Sequence, residues 1–540
     1  MSVIFHEKRS VCYVAPSRVV WQSPQVQDAA RLLETAGETA TIWRDPGMQL
    51  PPGGAVILEY DTPLPLQGIR VSRGYDGFGP AKVLVRLGES VSEVLHTPNN
   101  DHSMHEMELS LSHMGISRIG NAGFRFLRLE NLETDPKAVL NLRECSAEAW
   151  IHPAKRVGSF QCSDPLLNQI FEACAVTLEK CISPLLLDGT KRDRLVWMGD
   201  LYNEIRACGV LFQSHDAIPE SLEFLNVEGR RNHSFNGIVS YTAYWFLALR
   251  EYYRFYRDTN FLLTQRDNLR FFANEMLQTY ETDPAGVLQA TIVDWAHPEG
   301  CPKNAYGPLY LAAVIACREL AEFLQENELS QRCQKTENSL RKAIRLEPTT
   351  AKSVYAWATI TGIIPPEQGL NRLLQDPEDG WSTFHFDNFL RTYSLAGKTA
   401  EGLDLLRKYY GAMIHLGART IWEQYDMPWG KNATPIDQMP QEGKTDIHLT
   451  CGRGCFQGLR NSLCHGWGAS PVAWLMENIA GITPVGDGYQ DGVRIAPNLC
   501  DLDFLTVTCP TPKGNITLLA QKGKKTQLTV PQGMPYTLVE

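Results

Sequence analysis

"CSDPLLNQIFEACAVTLEKCI", Cys162 to Ile182, is where the hydrophobic period of this 540-residue chain changes. Leu167, Ile170, Phe171, Cys174, Leu178 and Cys181 follow i, i+3, i+4, i+7 spacing, the stripe of an amphipathic helix. Ser163 or Asp164 can cap its start, and Pro165 suits the first helical position, where no N–H is needed. Roughly a dozen such segments run on to about residue 480. Among them are "GIVSYTAYWFLALREYYRFY", "NFLLTQRDNLRFFANEML", "LYLAAVIACRELAEFLQ", "EGLDLLRKYYGAMI" and "SPVAWLMENIA". No strand-length apolar run interrupts them and no fixed repeat recurs. The pattern predicts helical hairpins packed in a ring or solenoid, not a tandem array.

Upstream the period is two. "KVLVRL" (Lys82 to Leu87) sets Val83, Val85 and Leu87 on one face and Lys82 and Arg86 on the other, the sign of a half-buried strand. "AVILEY" and "GFRFLRLE" are similar short runs between Pro/Gly clusters, and only Gln25 to Ala36 reads as helical there. A β-sandwich over 1–150 is the economical expectation. Strands return at the tail, where "NITLLA" and "TQLTV" flank "QKGKK" as a hairpin with a glycine in its turn. The expected units are therefore a sandwich at 1–150, a helical unit at 151–483 and a small β-domain at 484–540.

A net charge of −10 argues against a nucleic-acid partner, which demands a concentrated positive surface. No apolar run approaches the ~20 residues of a membrane helix. The start "MSVIFHEKRSVCYV" lacks the apolar core of a secretory signal, so a cytoplasmic location is expected if that start is native. The 14 cysteines are scattered and read as reduced core thiols. "CGRGC" (Cys451, Cys455) with Cys464-His465 matches no standard zinc spacing, so neither metal nor cofactor is expected.

Directly after the first helix comes "LLLDGTKRDRLVWMGDLYNE", Leu185 to Glu204. Pro184 ends the helix, Gly189 marks a turn and Asp200 opens the next helix, so the charges sit on an inter-helix loop. A structural explanation is available: Asp200 as a helix cap, with Arg192 and Arg194 paired to Asp188 and Asp193. Trp197 in their midst favours a sugar site. An indole takes the C–H face of a pyranose while carboxylates and guanidinium groups bind its hydroxyls. Glycoside cleavage further requires two carboxyl groups, one protonated and one ionised, and neighbours of opposite kind can separate their pKa values.

"DGTKRDRLVWMGD" resembles the signature of the α-L-rhamnosidases, glycoside hydrolase family 78 of the six-hairpin glycosidases. "VRLGESVSEV" and "IGNAGFRFLRLE" resemble the β-sandwich ahead of that family's catalytic domain, and "GSFQCSDPLLNQIFEAC" the opening of its (α/α)6 barrel. "TIWEQY" and "SLCHGWGASPVAWL" resemble later barrel segments, and "IAPNL…PTPKGNITL" the C-terminal β-sandwich. The resemblance covers about residues 55 to 530 in order. It implies a multidomain fold: an (α/α)6 barrel catalytic domain between a β-sandwich and a small C-terminal β-sandwich.

Carried over by position, the resemblance implies Asp193 as general acid and Glu423 as general base. It implies Asp188 and Asp200 as sugar-binding carboxylates, Arg192 and Trp197 as binding guanidinium and aromatic wall, and His465 as a further binding residue. The implied activity is an exo-acting, inverting hydrolase releasing terminal α-L-rhamnose from oligosaccharides or plant glycosides. The family's usual acid is Glu, one methylene longer than Asp193, which leaves Glu204 as a reserve donor; "LCHGW" replaces the family's "NHY" at His465.

Asp294-Trp295 in "TIVDWAHPE" are further candidates for the pocket rim; Trp381 and His385 suit core as well as site, and Tyr244 and Trp245, inside a helix, read as core. The segment between Glu423 and His465 is long enough to be a lid, a subsite wall or a surface insertion. Two other functions fit the same ingredients: a hydrolase or phosphorylase for another sugar, or a non-catalytic carbohydrate-binding relic.

Overall fold

A computed structural model describes residues 8–34, 47–97, 105–214, 216–289, 293–295 and 305–539. It opens with two five-stranded sheets. One orders Ser10–Val14, Leu140–Ile151, Leu66–Arg73 and Ile116–Ile119, with Met48–Leu50 also on Leu140–Ile151. The other orders Arg18–Gln22, Ala55–Glu59, Phe126–Asn131, Ala81–Gly88 and His105–Leu111. Their inner faces share one apolar core: Val56, Leu58, Val83, Val85, Leu87 and Leu129 meet Ile69, Val71, Leu142 and Ala147. The period-2 pattern of Lys82 to Leu87 is visible in this layering, with Lys82 exposed and Arg86 half-buried. A short helix, Val91–Leu95, covers the outer face of the second sheet at Ile57 and Phe126.

The helix expected from Gln25 to Ala36 is not there. The chain makes a single 3-10 turn, Ala29–Leu33, entered through Asp28 in the left-handed region without a capping side-chain bond; residues 35 and 36 lie outside the described residues. Gln27 pairs with Gln49, and Val26 and Leu32 turn into the sandwich core, so tertiary burial overrides the local pattern.

Beside short ones at Thr259–Thr264, Pro284–Gln289 and Ile447–Thr450, twelve helices build the helical unit among the described residues. They are Pro165–Cys181 (α1), Met198–Leu211 (α2), Ala217–Asn232 (α3), Tyr241–Tyr256 (α4), Arg266–Thr282 (α5) and Gly307–Phe323 (α6). Then come Asn327–Ala343 (α7), Lys352–Ile360 (α8), Pro366–Leu373 (α9), Phe386–Leu395 (α10), Thr399–His415 (α11) and Pro471–Trp474 (α12), the last continued by a π-turn to Ile479. Asp164 caps α1, accepting the N–H groups of Leu166 at 2.8 Å and Leu167 at 3.4 Å. Ser163 is used otherwise: its hydroxyl accepts the N–H of Asp503.

The even-numbered helices touch in succession, α2 on α4, then α6, α8, α10 and α12, and α12 returns to α2. They close a ring. Odd-numbered helices lie outside: α7 against α6, α9 against α8 and α10, α11 against α10, and α1 against α11 and α12. Alternation of outer and inner helices brings every outer-to-inner connection to one end of the ring, at the N-termini of the inner helices. These connections are 182–197, 233–240, the described residues of 283–306, 344–351, 374–385 and 416–470. Helix α2 is buried at all 14 positions, Asp200, Asn203, Glu204 and Arg206 included. Four buried polar side chains on one inner helix require partners inside the ring.

The tail hairpin pairs Thr517 with Thr529 and Leu519 with Gln527, and Gly523 takes a positive φ of 69° in the turn. The bounds 151–483 and 484–540, however, cut through one packed body. Ser159–Cys162, ahead of α1, is antiparallel to Phe504–Thr511, with Phe160 opposite Val507. Leu505, Val507, Cys509, Ile516 and Leu518 join the same apolar cluster as α1 and α2. Sequence order alone does not carry that pairing.

The described cysteines are free thiols. Among the described residues no group of three or more His, Cys, Asp or Glu side chains is placed to hold a metal ion, and no helix is long and apolar enough to cross a membrane.

Candidate active site

The connection from α1 to α2 is drawn into a noose. The N–H of Asp188 donates to Leu195 O at 2.9 Å, and the N–H of Leu195 donates back to Asp188 Oδ1 at 2.8 Å. Within the noose, Asp193 and Arg194 both stand in the left-handed region, at φ 55° and 54°. Two consecutive non-glycine residues there cost about 1–2 kcal/mol each, and such strain persists where surrounding contacts enforce it. Arg194 donates to the carbonyl of Asn121 in the sandwich, and Lys191, wholly buried, pairs with Glu93 and lies 3.5 Å from Glu89. Asp188 is buried as well. Burial pushes its carboxyl well up, against the Leu195 N–H and with help from Asp193 and Glu423.

Arg192 joins the two distant parts of the site. One arm of its guanidinium pairs with Glu423 and the other lies 3.5 Å from Asp193 Oδ2. The two carboxylates, far apart in the chain, meet across one fork. Glu423 is 4% exposed, and its second oxygen accepts the N–H of Ser462 at 3.1 Å. Burial raises its pKa; Arg192 and the Ser462 N–H oppose that rise without cancelling it. The Glu423 carbonyl accepts from the Trp467 indole at 3.0 Å and from the Thr383 hydroxyl, so the backbone behind the carboxylate is fixed.

Asp200 does not cap its helix. The N–H of Met198 is satisfied by Asn236 Oδ1 at 2.9 Å, leaving Asp200 in the first turn to bind His465 Nε2 at 3.0 Å. Burial raises Asp200 to about 6, opposed by His465 and aided by Asp188 and Glu423. His465 itself is lowered by burial against the pull of Asp200. Its backbone ties the two halves together: His465 N donates to Ile421 O at 3.0 Å, and Gly466 N to Asp188 O at 2.6 Å.

Glu204 lies beneath. It is 1% exposed, and a Cβ on Gly466 would come within 2.0 Å of its Oε1, so only glycine fits above it. Sealed in this way, Glu204 is poorly placed to reach a substrate.

Trp197 is half-buried and stands edge-on to Tyr241 at 6.2 Å; the Tyr241 hydroxyl accepts the indole N–H of Trp295 at 3.0 Å. Trp197, Tyr241 and Trp295 thus form one aromatic cluster beside α2, Tyr241 buried and the two indoles half-buried, where Gly199 leaves room for the Tyr241 ring. Asp294 is buried, below the rim position that the sequence suggested for it. His385 fixes that segment by donating to Val293 O at 2.8 Å. Trp381 is buried and donates to Pro377 O, while Tyr244 and Trp245 are core residues, Trp245 donating to Asn226 at 2.7 Å.

Sequence reasoning passed over Glu89, Glu93, Ser462, Trp467 and Tyr241. Glu89 and Glu93 lie within "VRLGESVSEV" but touch the helical unit only in space, so no local signal identifies them.

Residues 155–366 match the family model described as the bacterial alpha-L-rhamnosidase 6 hairpin glycosidase domain. Three solved structures share the fold. The GH78 family rhamnosidase of Bacillus sp. GL1 has a TM-score of 0.72 at 18% identity, over 95% of this chain and 56% of its own. The rhamnosidase from Klebsiella oxytoca with rhamnose bound has 0.66 at 20% identity, over 87% and 96%. The alpha-L-rhamnosidase from Dictyoglumus thermophilum has 0.74 at 14% identity, over 98% and 59%. This chain thus spans little more than half the length of the Bacillus and Dictyoglumus proteins and nearly all of the Klebsiella protein. No curated protein matches its sequence.

Proposed function

We propose, for a chain whose helical unit belongs to the bacterial α-L-rhamnosidase six-hairpin glycosidases of glycoside hydrolase family 78, an exo-acting hydrolase that frees terminal α-L-rhamnose with inversion. The ring of inner helices is read as the (α/α)6 barrel, with the site at its loop-bearing end. One observation carries the reading: Asp193 and Glu423 contact the same guanidinium, that of Arg192.

In this mechanism Glu423 takes a proton from a water that attacks the anomeric carbon, while Asp193 gives a proton to the departing glycosidic oxygen. Arg192 and the Ser462 N–H favour the ionised form of Glu423 against its burial. Asp193, shorter than the family's Glu, depends on its backbone for reach, which the left-handed pair at 193 and 194 supplies. The half-buried indoles of Trp197 and Trp295, backed by Tyr241, suit the C–H face and methyl group of a 6-deoxy sugar. Asp188 and the Asp200–His465 pair hold the loops that carry the acid and the sugar.

The test is turnover of nitrophenyl α-L-rhamnoside by the wild type, Asp193→Asn and Glu423→Gln. Each substitution is expected to lower kcat by about 10²–10⁴-fold. Retained turnover in both variants overturns the assignment, and turnover that requires phosphate moves the protein to the phosphorylases.

A further inference from the structure

The base-bearing segment is held from outside the helical unit. Glu423 and Gln424 pair with Ser462 and Asn461: Glu423 N donates to Ser462 O at 2.8 Å, Ser462 N to Glu423 Oε2 at 3.1 Å, and the Asn461 side chain bonds both backbone groups of Gln424. The next residue, Leu463, gives its N–H to Glu89 Oε2 of the sandwich at 2.8 Å. The other oxygen of Glu89 lies 3.5 Å from the Ser462 hydroxyl.

A second tie runs in parallel. Ser90 caps the short helix Val91–Leu95 and meets His448 Nδ1 at 2.6 Å, while His448 Nε2 reaches Asn461 O at 2.9 Å. Only a donor satisfies that carbonyl, so Nε2 carries the hydrogen and Nδ1 accepts from the Ser90 hydroxyl. Burial and Lys191 push His448 down to about 3, in keeping with a neutral ring.

Glu93 completes the junction. It accepts the Glu89 N–H at 2.7 Å on one oxygen and pairs with Lys191 through the other, next to Arg192 in the acid-bearing noose. Two buried acids from one short stretch of the sandwich therefore reach both halves of the site.

We infer that Glu89 is a positioning residue for the reaction: by fixing Leu463 it holds the Ser462 N–H that orients Glu423, and with Glu93 and Lys191 it couples the base-bearing and acid-bearing loops. This rests on the reading of Glu423 as base. The sandwich is then part of the catalytic unit, not an appended module.

The experiment compares Glu89→Ala, Glu89→Gln and Glu423→Gln in the full chain, measuring kcat and KM on nitrophenyl α-L-rhamnoside and hydrogen exchange of peptides spanning 461–466. Lys191 keeps Glu93 in every variant, so the junction charge stays compensated. Glu89→Ala is expected to lower kcat by tenfold or more with KM within twofold, and to speed exchange at 461–466. Glu89→Gln, whose amide oxygen still accepts the Leu463 N–H, is expected to restore most of both. Wild-type kcat and unchanged exchange in Glu89→Ala, beside an inactive Glu423→Gln, overturn the inference and leave the base assignment standing. Full activity in Glu423→Gln removes the base assignment and this inference with it. If Glu89→Ala fails to fold, Ser90→Ala takes its place: a fall in kcat with faster exchange supports the inference, and no change in either overturns it.

Discussion

The loop-bearing end of the helical ring and the interior of its lower half use the same residue types to opposite effect. In the lower interior Arg206 of α2 meets Asp387 at 2.9 Å and Glu251 and Glu477 at 3.1 Å each, and Arg254 meets the same two glutamates at 3.1 and 2.6 Å. Burial there pushes Glu251 up, but Arg254 and Arg206 outweigh it and bring it to about 2; Glu477 is likewise lowered, and only Asp387 of the three is still raised by burial. At the upper end Asp193 and Glu423 share the Arg192 guanidinium, with the buried acids Asp188, Asp200 and Glu204 close by and only His465 paired to Asp200. There burial wins, with Asp188 and Glu204 well above the usual carboxylate range and Asp200 at about 6. Glu204 Oε1, Arg192 Nε and His465 Nδ1 have no hydrogen-bond partner among the described residues. Matched charge is the mark of a brace, and mismatched, strained, apolar-walled charge is the mark of a site.

The sharpest way to break this contrast is to remove one charged side chain at each end. Glu423→Gln is expected to lower turnover by the factor given above, while thermal unfolding shifts by only a few degrees. Replacing Arg206 by Met in the brace is expected to destabilise the fold by about 3–5 kcal/mol, since it strands buried carboxylates; denaturant unfolding measures this. An Arg206→Met protein with wild-type stability would remove the distinction.

A smaller effect is expected at Gly466, where alanine drives a methyl group into Glu204. About 1–3 kcal/mol of overpacking follows, with a fall in kcat as Asp200 and His465 shift. Wild-type stability and rate in Gly466→Ala would show that the Glu204 seal is loose.

The finest contrast is in pH. Asp200, facing His465, Asp188 and Glu423, has its folded pKa raised from 3.8 to about 6, so the folded state holds the extra proton and this contribution to stability is lost as pH rises from about 4 to 6. Glu251 is lowered from 4.5 to about 2, so its contribution is present above about 4.5 and lost as pH falls towards 2. Asp200→Asn is expected to make stability rise more steeply with pH between 4 and 6, and Glu251→Gln to flatten the acid limb below 4.5. Equal slopes in both variants and the wild type would contradict the assigned electrostatics.

The sequence disclosed those features that local chemistry writes down. Asp164 and Pro165 mark the start of α1, the alternation from Lys82 to Leu87 marks a sandwich strand, and the charge crowded between Asp188 and Asp200 marks an inter-helix loop. What it withheld depends on long-range closure. Nothing near Asp193 announces two left-handed residues, because the noose is set by Asp188 bonding Leu195. Nothing in "GESVSE" says that Glu89 reaches Leu463. Gln25 to Ala36 misled because its apolar residues serve a sheet core as readily as a helix face. Asp200 looked like a cap because its position in the chain is right for one; Asn236, from another hairpin, supplies that bond.

In the proposed mechanism Asp193 and Glu423 work as a separated acid and base across one sugar. Proton NMR of the first product formed from an α-L-rhamnoside, recorded before mutarotation, tests it most directly. A water activated by Glu423 on the face opposite the leaving group yields β-L-rhamnose first. Appearance of α-L-rhamnose first would mean a covalent intermediate and would contradict the pairing.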